Sequence, residues 1–316
     1  MAAGILALIA SLSYSQADTQ LPSPLAQSRN NIPVDKVVCA PDLQIIMKKT
    51  DGSPACVKAA SVAKLIERGW GLHVLPAYVK DEPKNSDIFE WGPHQITTED
   101  APYNNSTGFL AKPSEPGKFP GVILIHEWWG LNDNMRDMAR NLASHGYTVF
   151  AADLYAGQVA TTPEGARQLF TTFDTEKGIS NVHDVVEILK TRYGVEKVAT
   201  IGWCSGGSQS LNYALSGNEL DATILYYGQP VTDEDRLAQI HWPVLGIFGG
   251  KDPNISAERI SGFESALDDL GIENEIHVYP GVGHGFANPS GASYSPEATK
   301  DAWHSTVAFL ERHLQK

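Results

Sequence analysis

Basic side chains are scarce in this chain: 24 Lys and Arg stand against 37 Asp and Glu, for a formal net charge of −13. That deficit argues against nucleic acid as a partner, because a phosphate backbone is held by a basic face. Long apolar runs are missing after the N-terminus. No stretch approaches the ~18 residues a membrane-spanning helix needs, so no internal span is expected. Cysteine is rare, at three residues in 316. Neither a CxxC nor an HxxxH spacing accompanies Cys39, Cys56 or Cys204, so a metal site is poorly supported. The remaining composition, with 42% hydrophobic and 19% charged residues, is ordinary for a globular chain. Its length suits one sizeable domain with a small appendage.

The first twenty residues read as a targeting segment. Gly4 to Leu12 is short and apolar, and Ser15-Gln16-Ala17 precedes Asp18, as at a signal cleavage site. No Lys or Arg precedes the apolar run, so a plain N-terminal tail or an uncleaved anchor stays open beside export. Residues 21–35, polar with Pro, Asn and Ser, read as a linker. Residues 36–71 read as a small module. Val37-Val38-Cys39 and Leu43 to Met47 are short strand candidates, Asp51-Gly52-Ser53-Pro54 is a turn, and Ser61 caps a helix from Val62 to Arg68 that stops at Gly69. Cys39 and Cys56 fit a local disulfide in an exported protein; two unpaired small hydrophobes are the alternative. Residues 72–95, with Pro76, Pro83 and Pro93, read as a connector.

From residue 96 to 316 strand and helix signals alternate. Gly121 to His126, Tyr147 to Ala152, Val198 to Ile201, Ala222 to Tyr227, Val244 to Phe248 and Glu275 to Tyr279 read as strands, the first of them as a continuous apolar run of the kind buried parallel strands show. Between them, Met135, Met138, Ala139 and Leu142 share one face of a helix capped by Asn132 and ended by Gly146. Val182, Val185, Val186 and Leu189 mark a second helix, Ile260, Phe263, Leu267 and Leu270 a third, and Trp303, Val307, Leu310 and Leu314 a C-terminal one. The alternation predicts an α/β class with a doubly wound, mostly parallel sheet.

The chemistry concentrates in three strings at strand ends. Gly202-Trp203-Cys204-Ser205-Gly206 is a G-x-S-x-G motif with Cys in the Ser position, between a strand and a helix. Such a nucleophile sits on a sharp turn with room only for glycine two residues to either side. The positive end of the following helix is expected to favour thiolate over thiol. Downstream, Gly249-Gly250-Lys251-Asp252 ends in an acid, and Gly281-Val282-Gly283-His284 carries a histidine. Nucleophile, acid and histidine come in the order of α/β-hydrolases. Each alone has a bland reading: a buried structural cysteine, a turn-capping Asp, a loop His.

These strings, with ILIHEWWGLNDNMRDMARNLASHGYTVFAADLY, YYG and GVGHGFAN, resemble successive signatures of the dienelactone hydrolase (carboxymethylenebutenolidase) family over residues 96 to 316. The resemblance implies an α/β-hydrolase with nucleophile Cys204, base His284, acid Asp252 and a pocket glutamate at Glu127 that hydrogen-bonds the resting thiol until substrate displaces it. A salt bridge to Arg136 is the plainer role for Glu127. Hydrolase geometry puts the oxyanion hole on the backbone N–H groups of Trp128 and Ser205. Trp128, Trp129, Tyr155, Tyr227 and Phe286 are candidate pocket aromatics, with the core as the competing place for each. His126 reads as structural. The family commonly carries an Arg four residues after the catalytic His, where it binds a substrate carboxylate. This chain has Asn288 there; Arg167 is a candidate substitute, or a solvated surface residue.

Separately, the segment CAPDLQIIMKKTDGSPACVKAASVAKLIERGW resembles a small module of exported proteins of ammonia-oxidising archaea. It implies an extracytoplasmic or cell-envelope location, with an envelope partner for that module. The expected activity is hydrolysis of a small ester or lactone through an acyl-cysteine, with no metal or organic cofactor. Acyl transfer on the same residues, or a catalytically idle envelope-binding protein, are the alternatives.

Overall fold

The computed structural model describes residues 22–29, 37–40, 43–48, 53–58, 61–68, 70–73, 89–104 and 106–315. The signal-like segment, Asp51-Gly52 of the expected turn, Gly69 and most of the connector lie outside the described residues. The chain divides into two compact units, residues 1–82 and 83–316.

The first unit contains α1 (Pro24–Arg29), β1 (Leu43–Lys48), β2 (Pro54–Lys58), α2 (Val62–Glu67) and β3 (Gly71–His73). The strands form an antiparallel sheet in the order β2-β1-β3. A disulfide joins Cys39 to Cys56 with the Cα atoms 5.7 Å apart. Two expectations need correction. The stretch read as linker holds helix α1, and Val37 to Cys39 is not a strand. The buried Gln27 amide accounts for the second: it accepts from the Val38 N–H at 2.8 Å and donates to the Val38 carbonyl at 2.9 Å. One side chain thus satisfies the backbone groups that a strand would have paired.

The second unit begins with an antiparallel hairpin, β4 (Ile96–Tyr103) and β5 (Ser106–Pro113), turning at Asn104 with φ of 49°. Asn tolerates that left-handed conformation better than most residues. The unit continues β6 (Gly121–Ile125), α3 (Asp133–Ser144), β7 (Thr148–Ala152), α4 (Pro163–Thr172), α5 (Thr175–Tyr193), β8 (Val198–Trp203), α6 (Ser205–Ala214), β9 (Ala222–Tyr226), α7 (Glu234–Leu237), β10 (Val244–Gly249), α8 (Ala257–Asp269), β11 (Asn274–Tyr279) and α9 (Pro296–Leu314).

The sheet order is β11-β10-β9-β8-β6-β7-β5-β4. The strands from β6 onward pair in parallel, and the hairpin joins antiparallel through β5 to β7. Strands β6 to β10 are buried along their whole length, which is why they read as unbroken apolar runs. Helix α3 starts where the Asn132 side chain accepts from the Met135 N–H at 3.2 Å, and it lays Met135, Met138, Ala139 and Leu142 on the core. The chain leaves β6 toward β7 on one side and returns to β8 on the other. That reversal opens a crevice at the carboxyl ends of β6 and β8, the place where open α/β sheets bind ligands.

Candidate active site

Cys204 follows β8 and opens α6, with φ of 55° and ψ of −116°. A non-glycine residue in that region is strained. The turn is sharp because strand and helix nearly touch. A Cβ on Gly202 would lie 2.1 Å from the Gly206 carbonyl oxygen, and one on Gly206 would lie 2.3 Å from that of Ile125. Glycine at those two positions lets the helix start press against the ends of β8 and β6. The Cys204 N–H donates to Tyr226 O at 2.9 Å and fixes the elbow to β9.

Asp252 lies in the turn after β10, where its N–H donates to Gly249 O at 3.1 Å. Its Oδ1 accepts from the Asn254 N–H at 2.8 Å, and its Oδ2 lies 2.7 Å from His284 Nδ1. The His284 Nε2 lies 3.1 Å from the Cys204 sulfur. The three residues singled out in the sequence therefore form one continuous chain of contacts. Cys204 is the free cysteine among the described residues.

The thiol does not behave as the helix-dipole argument expects. Burial pushes its pKa up to about 12, and the charges of Glu127 and Asp252 add to the rise; the backbone N–H groups of Ser205 and Trp128 oppose it. Removal from water and two nearby carboxylates outweigh the helix end. The same two N–H groups that act on the sulfur are those expected to form an oxyanion hole.

Glu127 follows β6 and is buried. Its Oε1 accepts from the Tyr227 hydroxyl at 3.1 Å, and its Oε2 accepts from the Asn288 amide. Burial raises this carboxyl to about 7, with both hydrogen bonds working against the rise. The expected alternative, a salt bridge to Arg136, is not formed: Arg136 pairs with Asp100 at 2.9 Å and stacks over Phe109. Where a bond from Glu127 to the thiol was expected, its two oxygens are taken by Tyr227 and Asn288.

A cleft of about 930 Å³ opens over Cys204. Glu127, Trp128, Trp129, Ser205, Tyr227, His284, Asn288 and Arg167 line it, together with Phe170, Phe173, Gln229 and Arg259. Phe286 does not: it is fully buried behind Tyr227, ring centroids 5.6 Å apart. Tyr155 packs against His126 and Phe173. Arg259 escaped the sequence reading because it looks like any exposed residue on α8. Only the fold turns it toward the cleft, with its Nε donating to Pro230 O at 3.0 Å.

The parallel sheet, the strained elbow and the strand-end positions of Cys204, Asp252 and His284 define an α/β-hydrolase. The family model of the dienelactone hydrolase family matches residues 107–314. The chain belongs to that family. A Saccharolobus solfataricus protein whose name assigns it provisionally as a carboxymethylenebutenolidase is 32% identical, over 65% of this chain and 93% of its own. Protein usf of Aquifex pyrophilus is 33% identical, over 66% and 93%. Among solved structures, a Klebsiella pneumoniae protein named, again provisionally, as a dienelactone hydrolase superposes with a TM-score of 0.62 at 26% identity, covering 69% of this chain and 99% of that one. The promiscuous phosphotriesterase P91 from metagenomic libraries gives 0.64 at 22% identity, over 69% and 98%, a likeness of fold alone.

Proposed function

We propose that the protein hydrolyses small carboxylic esters or lactones through an acyl-cysteine intermediate. The observation that carries this reading is the unbroken line from Asp252 through His284 to the Cys204 sulfur, at 2.7 Å and 3.1 Å. Asp252 holds the Nδ1–H of His284, leaving Nε2 free to accept the thiol proton. The thiol resists ionising, so proton transfer accompanies attack. Sulfur bonds to the substrate carbonyl carbon, the thiol proton moves to Nε2, and the carbonyl π pair moves onto oxygen. The Trp128 and Ser205 N–H groups meet that oxyanion. On collapse the C–O bond to the alcohol breaks, and His284 returns its proton to the departing oxygen. Water, deprotonated by His284, then cleaves the thioester and restores the thiol.

The test is to trap the intermediate. Brief exposure to p-nitrophenyl acetate followed by acid quench should leave one acetyl group on Cys204 by mass spectrometry, and iodoacetamide should block both the label and turnover. An acetyl group carried on any other residue, with Cys204 unmodified, would overturn the mechanism.

Asn288 supports a narrower statement about substrate. An Arg there would present a fixed cation with a bidentate fork. The Asn side chain is neutral, and its amide is already engaged by Glu127. Losing one charge-assisted bond costs roughly 1.5–3 kcal/mol, about a tenfold to hundredfold effect on an anionic substrate. Higher kcat/KM is therefore expected on short neutral esters or lactones than on dienelactone. Asn288→Arg should narrow the gap, more fully with Glu127→Gln, because Glu127 would otherwise capture the new cation. A wild-type preference for dienelactone would mean that Arg167 or Arg259 binds the carboxylate.

A further inference from the structure

His126, immediately before Glu127 and buried, holds two hydrogen bonds whose roles the geometry fixes. The Leu154 backbone N–H lies 3.1 Å from the His126 Nε2. A backbone N–H can only donate, so Nε2 carries no proton and Nδ1 does. That Nδ1–H faces the carbonyl oxygen of Glu127 at 2.6 Å. Burial lowers the pKa of this imidazole, in keeping with one donor and one acceptor. The Gly130 N–H adds a second donor to the same carbonyl at 3.2 Å.

The Glu127 carbonyl and the Trp128 N–H belong to one peptide plane, and in a trans peptide they point in opposite directions. Anchoring the oxygen therefore aims the N–H, and the Trp128 backbone N–H lowers the pKa of the Cys204 thiol against the rise from burial. We propose that His126 is a positioning residue for the oxyanion hole: through its Nδ1–H it pins and polarises the Glu127–Trp128 peptide, so that the Trp128 N–H is held where negative charge develops. This inference rests on the reading of Cys204 as nucleophile. It goes further by giving work to a residue that the sequence presents as merely structural.

Two substitutions separate positioning from support. His126→Asn keeps a donor at the place of Nδ1 and loses the acceptor for Leu154. His126→Gln keeps an acceptor reaching Leu154 and loses the short-range donor. Gln is expected to lower kcat roughly tenfold to hundredfold with KM little changed, short of the 10²–10³ cost of deleting an oxyanion donor outright. Asn is expected to keep kcat within a few-fold while melting at a lower temperature. An aryl trifluoromethyl ketone, which adds the Cys204 sulfur and places an oxyanion at the same N–H groups, should lose affinity for the Gln variant in step with kcat/KM. A product carboxylate should bind both variants alike. Equal kcat in the folded Gln and Asn variants, or unchanged ketone inhibition of the Gln variant, would overturn the role of His126. Cys204→Ala is the control: its full activity would sink the nucleophile assignment instead, so the two failures are distinguishable.

Discussion

Cys204→Ala should lower kcat/KM on p-nitrophenyl acetate by several orders of magnitude while leaving the fold intact. The sulfur is the atom that His284 Nε2 meets at 3.1 Å. Without it His284 has only water to activate, and members of such a unit fail together rather than in proportion. The residual rate comes from the N–H groups and from binding alone. Stability should change little: alanine keeps the Cβ and loses one atom that already faces the cleft. The measurement is steady-state kinetics beside a thermal melt. Near-wild-type turnover by a well-folded Cys204→Ala protein would remove the thiol from the mechanism.

Asp252→Asn should cost nearly as much, and for a reason set by one neighbour. The Asp252 side chain is buried, and its Oδ1 is committed to the Asn254 N–H at 2.8 Å. An asparagine must keep its oxygen at that position, or leave a backbone donor unmet. Its NH₂ group then takes the place of Oδ2, facing His284 Nδ1. A donor there forces Nδ1 to accept, which moves the imidazole proton to Nε2, the atom required to take the thiol proton. The wrong tautomer in an otherwise unchanged site costs on the order of 10⁴ in the serine-hydrolase template. A loss of about 10² to 10⁴ in kcat/KM is expected here, with binding of a product carboxylate nearly unchanged. A loss under fivefold would show that Asp252 serves the turn and not the base.

The parallel strands were legible because burial on both faces leaves an unmistakable apolar run, as in Val122 to Ile125. The β4–β5 hairpin was not. Its strands mix Thr, Glu, Asp and Lys with buried Ala101, Tyr103, Phe109 and Leu110, because β4 lies at the sheet edge and keeps a polar face. The strings around Cys204, Asp252 and His284 were legible because each joins an apolar strand to a chemically loaded turn. The direction of the thiol's ionisation was not, since it depends on burial and on Glu127, which is distant in sequence. At Asn288 the sequence shows a neutral side chain where the family commonly has Arg. That its amide grips Glu127 became visible only when the loop after β11 met the end of β6. Arg136 shows the opposite failure: a carboxylate close in sequence, Glu127, lost the contest to Asp100 on the neighbouring hairpin.

The buried Glu127 carboxyl also ties folding to proton binding. Its ordinary value is 4.5, and in the folded chain it stands at about 7. Between those two values the native state holds a proton that the unfolded chain has released, so folding there takes up acid from solution. The contribution of this group to stability is whole below the lower value, and it drains away as the pH rises through the upper one. Near neutrality the carboxylate is only partly charged, held by Tyr227 and Asn288. The molecule thus gives up part of its own cohesion to keep a titrating group close to the Cys204 sulfur.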